Sequence, residues 1–161
     1  MSPVNYIERT TEHFAKQGFP PYQWAVNQTV PWTPFVKRLE DCRVAMISSG
    51  GIYIRGKQPP FDPERDDLTF REIPRDIDVR DLSISHNHYD HSDADKDVNV
   101  VFPIERIREM EQERFIGSVA PVNYAFMGRI FKRRQLEKEM APEIARKLKE
   151  NKVDVFLLVP A

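Results

Sequence analysis

Apolar positions along this chain fall into two periodicities. Val44-Ala45-Met46-Ile47, within Arg43 to Ser48, is a continuous apolar run closed by Gly50-Gly51. That pattern predicts a central strand buried on both faces and a glycine turn after it. Ile52-Tyr53-Ile54 continues as a short strand, and Asp81 to Ser85 alternates as a second main strand. Pro103 opens a helix over 103–114, with Ile104, Ile107 and Met110 at helical spacing. Ile116 to Pro121 reads as a third strand, with a loop from Val122 to Gly128. Leu136, Met140, Ile144 and Leu148 mark one face of a helix over 134–150, which Pro142 kinks or restarts. Val153 to Val159 is a fourth, continuously apolar strand. Residues 56–80 are polar and rich in Pro and Asp, and read as a long irregular segment.

Strands alternating with helices over 39–161 predict an α/β, Rossmann-like layered domain with a largely parallel sheet. Residues 1–38 read as an N-terminal arm. Glu8 to Lys16 forms a short helix in it. Gly18-Phe19-Pro20-Pro21-Tyr22 and Val30-Pro31-Trp32-Thr33-Pro34-Phe35 are extended because proline removes donors and breaks regular elements. Their aromatics need cover, from the same molecule or from a dimer partner.

Composition narrows the function. Across 161 residues the net charge is −1, which disfavours a nucleic-acid binder. Lys132-Arg133-Arg134 reads as a solvated basic run. The single cysteine, Cys42, excludes an internal disulfide and fits a cytoplasmic protein. It has no neighbouring histidine and reads as structural. No segment reads as a secretion signal or a membrane span.

In open α/β sheets ligands bind beyond the carboxyl ends of the strands. Here those ends carry Ser49-Gly50-Gly51, the stretch His86 to Asp97, the stretch Pro121 to Gly128, and the chain end. Three of the four histidines lie in His86-Asn87-His88-Tyr89-Asp90-His91. Imidazole and carboxylate groups bind zinc and similar ions, and they also move protons near neutral pH. One reading is a divalent-metal site of His86, His88, Asp90 and His91, serving a hydrolase or lyase. The string His-x-His-x-Asp-His matches the metallo-β-lactamase signature, but no histidine follows His91 to complete such a site. The other reading is a hydrogen-bonded polar loop in which His86 and Asp90 serve as catalytic acid-base or substrate-binding groups. Asp93-Ala94-Asp95-Lys96-Asp97 begins like a calcium loop, but has Val98 where glycine and Ile104 where glutamate belong. Walker, dinucleotide and nucleophile-elbow motifs are absent from the sequence.

Several stretches together resemble the N-terminal part of the glycine/sarcosine/betaine/D-proline reductase selenoprotein B family. They are Thr69-Phe70-Arg71-Glu72-Ile73-Pro74, Ser85-His86 with Tyr89-Asp90, Asp97 with Asn99, and Phe102-Pro103-Ile104. Further on come Ile116-Gly117-Ser118-Val119-Ala120-Pro121, Phe126-Met127-Gly128 and Ala141-Pro142-Glu143-Ile144-Ala145. His88 and His91 depart from the reductase pattern.

The resemblance implies a reductase-type subunit that cleaves a carbon–heteroatom bond. It places a selenocysteine or cysteine nucleophile directly after a strand similar to Val155–Ala161, one position past the last residue here. The expectation is therefore a chain cut at a UGA codon, retaining the substrate pocket but inactive alone. Gly50, Gly51, Tyr89, Met127 and Gly128 are the expected substrate-binding residues for a small molecule. A second copy of the chain or a reductase subunit is the expected partner. A non-catalytic, partner-binding subunit is the remaining alternative.

Overall fold

The computed structural model describes residues 4–21, 26–31 and 33–161. Contacts divide the chain into a unit of residues 1–35 and a unit of residues 36–161. In the first, helix α1 (Tyr6–Lys16) buries none of its own residues and ends at Gln17, ahead of Gly18 at φ +84°. Phe14 and Phe19 meet edge-to-face, ring centroids 5.9 Å apart. Tyr22 and Trp32, aromatics expected to need cover, lie outside the described residues.

The second unit is built around β1 (Arg43–Ser48). Along one edge it pairs in parallel with β7 (Val155–Val159), from Val44 opposite Val155 to Ser48 opposite Val159. It also pairs in parallel with β5 (Ser118–Val119) and then β6 (Val122–Phe126). Val44 faces Val119 while Ile47 faces Tyr124, so the β5–β6 side carries extra residues in between. Ala120-Pro121 makes this break, since proline has no N–H for the ladder. Asn123, fully buried, repairs it: its Oδ1 accepts the Met46 N–H at 2.8 Å. β3 (Phe70–Pro74) lies antiparallel on the far side of β6. β2 (Ile52–Ile54) and β4 (Leu82–Ile84) form a separate antiparallel pair.

Period-two alternation along β1 decides the layers. Val44 and Met46 pack with Ile52, Leu82 and with Ile104 and Ile107 of helix α2 (Ile104–Gln112). Ala45 and Ile47 face the other way, onto Tyr124 and onto Met140, Ile144 and Leu148. The last two belong to helix α3 (Ala141–Glu150). The sheet thus has a helix on each face, in a mixed α/β architecture.

The structure corrects several sequence expectations. The strand ending at Ser85 is β4, which pairs with β2 rather than joining the parallel sheet. Residues 56–80 are not wholly irregular, because Phe70–Pro74 alternates and forms β3. The loop expected after Pro121 is mostly strand β6, restarted beyond the proline. Pro103 stands at the N-cap of α2 rather than inside its first turn. The helix expected over 134–150 is split into a short turn at Arg133–Gln135, a π-helical turn at Leu136–Met140, and α3. Pro142 lacks the N–H for the ordinary ladder, and the backbone widens just before it. β7 is not buried on both faces: Phe156 is 52% and Leu158 56% exposed. Among the described residues its outer edge has no strand partner.

Candidate functional site

The site is assembled where the loops after β1, β4 and β6 meet, and hydrogen bonds fasten them. Ser85 N–H donates to Gly51 O at 2.9 Å, and Gly51 N–H to Phe126 O at 2.9 Å. Gly128 N–H donates to Ser49 O at 2.9 Å, and Ala161 N–H to the Ser49 hydroxyl at 2.9 Å. Tyr89 donates its hydroxyl proton to Gly50 O at 3.0 Å. The close approach that Gly50-Gly51 permits is to the histidine loop itself. A Cβ on Gly51 would stand 2.5 Å from Ser85 O, and one on Gly50 3.3 Å from the Tyr89 hydroxyl. Met127 is fully buried, bridged to Gly50, while Gly128 lies at the surface.

His86 is only 7% exposed. Its Nδ1 accepts the His88 backbone N–H at 3.1 Å, which puts the proton of the neutral ring on Nε2. That Nε2 has no hydrogen-bond partner. Burial, followed by the nearby His88 and His91 charges, lowers the His86 pKa, so the ring is neutral at pH 7.

The other candidate residues point to different partners. His88 Nε2 lies 3.3 Å from Pro63 O. His91 Nδ1 lies 2.8 Å from Asp95 Oδ2. Exposed Asp90 accepts the Ser92 N–H at 3.0 Å, closing a local turn. The Ser92 bonds, backbone first, lower its pKa, which makes it a weak base. Among the described residues no three His, Cys, Asp or Glu side chains gather as a metal-binding group. His86, His88 and Asp90 thus share a loop but not a common focus. Cys42 is buried, with its Sγ 3.1 Å from Arg38 O, and burial pushes its thiol pKa up, which fits a structural role.

Tyr89 sits between two histidine rings, 4.8 Å from His86 and 5.6 Å from His91, both edge-to-face. Burial, then the Asp95 charge, raises its pKa from 10.0 to about 12. The folded state therefore holds this proton more tightly than the unfolded chain. The associated stability is complete below pH 10 and declines as the pH rises through about 12. Ultraviolet titration of Tyr89→Phe should lose one late-ionising phenol, and the variant should lose about 1 kcal/mol at neutral pH with the Gly50 bond.

His86 and His88 line a cleft of about 320 Å³ together with Gly128, Arg129, Phe131 and Ala161. Arg129 and Phe131 are absent from the sequence-predicted site, although Arg129 directly follows the Phe126-Met127-Gly128 motif. A cation next to a strand-end glycine is the signal that would have found it. Residues 59–67 are fastened to the loops that line the cleft. Ser85 donates to Phe61 O at 2.7 Å, and Asn87 to Glu64 Oε1 at 3.1 Å. Asp66 Oδ2 accepts the Phe131 and Lys132 N–H groups at 3.0 and 2.8 Å.

The profile described as glycine/sarcosine/betaine reductase selenoprotein B matches residues 12–161. The chain belongs to this family. It is 41% identical over 127 residues to the D-proline reductase subunit gamma of Acetoanaerobium sticklandii, covering 79% of this chain and 52% of that protein. It is 31% identical over 132 residues to the glycine reductase complex component B subunit gamma of Symbiobacterium thermophilum, covering 80% and 30%. The sarcosine reductase complex component B subunit beta of Peptoclostridium acidaminophilum is 30% identical over 107 residues, covering 62% and 23%. The chain thus spans about half the length of the D-proline reductase subunit, and less of the others. No solved structure matches it significantly. No described helix is long and apolar enough to cross a membrane.

Residues that carry the family resemblance fix the segment 59–69 and the start of α2. Arg71 is 8% exposed and donates to Pro59 O at 2.9 Å, to the Thr69 hydroxyl at 2.7 Å and to Pro60 O at 3.4 Å. Asp97 accepts the Asn99 N–H, and Asn99 Oδ1 accepts the Glu105 N–H at 3.2 Å, fixing the start of α2.

Proposed function

We propose that this chain is the substrate-pocket part of a selenoprotein B-type reductase subunit, in a Rossmann-like domain. The observation that carries this reading is the family match across residues 12–161, coupled with a cleft at the strand ends. The reaction is cleavage of a carbon–nitrogen-type bond by a selenocysteine or cysteine that follows Ala161 in the intact polypeptide. The 52% coverage of the D-proline reductase subunit and the unpaired apolar edge of β7 support a longer protein. A thiolate or selenolate attacks the carbon. The carbon–nitrogen bond breaks, and the nitrogen leaves with its electron pair and takes a proton. One thiolate of a dithiol reductant then attacks the chalcogen, the carbon leaves with the bonding pair and takes a proton, and the second thiol closes a disulfide that releases the nucleophile. His86 and Tyr89 shape the pocket, and a reductase subunit is the partner.

Sequencing the gene through codon 161 tests this directly. The expected result is UGA, two further codons and a cysteine codon in frame. A UAA or UAG stop with no related frame beyond it would overturn the reading. The read-through protein, assayed with its partner subunit and a dithiol, should release reduced product, whereas residues 1–161 alone should not.

A further inference from the structure

Strand β7 runs beside β1 as far as Ser48 opposite Val159. Just past that register, Ser49 N–H donates to Val159 O at 3.0 Å. Pro160 comes next and has no N–H, so the ladder cannot continue through it. One residue further on, a side chain takes over from the backbone: Ala161 N–H donates to the Ser49 hydroxyl at 2.9 Å. The hydroxyl thus carries the register of β7 two residues beyond the end of the strand.

Ser49 holds a second segment at the same place. Its carbonyl accepts the Gly128 N–H at 2.9 Å, and a Cβ on Gly128 would stand 3.0 Å from the Ser49 Cβ. The N–H, carbonyl and hydroxyl of Ser49 are each committed to one of these two segments, and Gly128 and Ala161 both line the strand-end cleft. Ser49 is half-buried, so water can satisfy its hydroxyl and the Ala161 amide once they separate. The bond therefore adds little to stability, about 1 kcal/mol. What it fixes is position.

We propose that Ser49 is a positioning residue for the group that follows Ala161. In the reductase reading given above, on which this role rests, that group is the selenocysteine or cysteine nucleophile. Its Cα lies one step of about 3.8 Å from the Ala161 Cα, and the orientation of the Ala161 peptide sets the direction of the step. A reacting atom displaced by about 1 Å can lose on the order of 100-fold in rate. Ser49 transfers no proton in this role and touches no substrate; it acts through the Ala161 amide.

Two measurements test the role. In the 161-residue chain, amide NMR of Ser49→Ala should show Ala161 released, as a lower heteronuclear NOE and faster amide exchange. Gly128 should stay protected, because its acceptor is the backbone carbonyl of residue 49. The melting temperature should fall by no more than about 4 °C, the effect of one hydrogen bond. The read-through protein is then assayed with its partner subunit, a dithiol, and D-proline, glycine or sarcosine, the compounds in the names of its relatives. Ser49→Ala should lower kcat about tenfold or more while KM stays within about twofold. Ser49→Thr, which keeps the hydroxyl, should recover most of the loss. An Ala161 amide that stays ordered in Ser49→Ala, an unchanged kcat, a loss expressed in KM alone, or no recovery in Ser49→Thr would overturn the proposal. If the wild-type read-through protein releases no reduced product while Ser49→Ala frees Ala161 in the shorter chain, the reductase reading falls and takes this role with it, and the hydroxyl clamp alone stands.

Discussion

Gly51→Ala should destabilise the domain by about 3 kcal/mol and release the histidine loop. Two independent costs add. Gly51 sits at φ +72°, where an L side chain costs about 1–2 kcal/mol. The new Cβ would also stand 2.5 Å from Ser85 O and 3.2 Å from the His86 Cβ. The first contact is with backbone that is held by its own bonds, Ser85 N–H to Gly51 O and the Ser85 hydroxyl to Phe61 O. It cannot yield as a flexible side chain would, so overpacking adds about 1–3 kcal/mol. Thermal unfolding should show a fall of roughly 6–12 °C. The imidazole NMR signals should show His86 exposed, its ring no longer held by the His88 amide. An unchanged melting temperature with unchanged His86 signals would refute the role given to this turn. A Gly50→Ala control should cost less, because its Cβ would lie 3.2 Å from Ser48 Oγ and 3.3 Å from Tyr89 Oη, both side-chain atoms.

The elements visible in the sequence are those whose burial is local and periodic. Val44 to Ile47 is apolar without a break because both faces of β1 are covered, and the run alone reveals this. Ile104 with Ile107, and Ile144 with Leu148, show the helical faces for the same reason. β3 was hidden because one of its two buried positions is Arg71, which leaves Ile73 as the single buried apolar residue between exposed Glu72 and Pro74. β6 was hidden by Pro121 and by Asn123, a buried polar residue whose use depends on a gap in the ladder to Met46. The sheet to which β4 belongs depends on long-range pairing, which local pattern does not encode. At the site, the sequence exposed His86, Tyr89 and the glycines as a neighbourhood. It left unread which way each donor turns, and it missed Arg129, because one arginine in a loop has no periodicity to betray it.

Arg71 is the second residue whose loss should be felt beyond its own segment. It lies beneath residues 59–67 and binds their carbonyls at Pro59 and Pro60, with its guanidinium carbon 4.0 Å from the Phe61 ring centroid. Its nearest acid, Asp67, is 4.0 Å away, so the positive charge is balanced mainly by carbonyl dipoles and the aromatic face. Burying a cation this way is costly, and replacing it with an apolar residue recovers part of that cost. The recovered part is smaller than what is lost. Arg71→Met would leave the Pro59 carbonyl and the Thr69 hydroxyl without their donor and remove the contact over Phe61. Hydrogen bonds to charged groups contribute about 1.5–3 kcal/mol. The net expectation is a loss of about 3 kcal/mol, read by denaturant unfolding. Arg71→Lys should recover little of it, because an ammonium cannot reach these acceptors from one planar fork. The loss should spread to the loops around the cleft, since Phe61 O holds Ser85 and Asp66 holds the Phe131 and Lys132 amides. Amide exchange should therefore rise at Ser85, Phe131 and Lys132 together. Exchange that rises only next to residue 71 would show residues 59–67 and the cleft loops to be independent, and would remove Arg71 from any part in holding those loops.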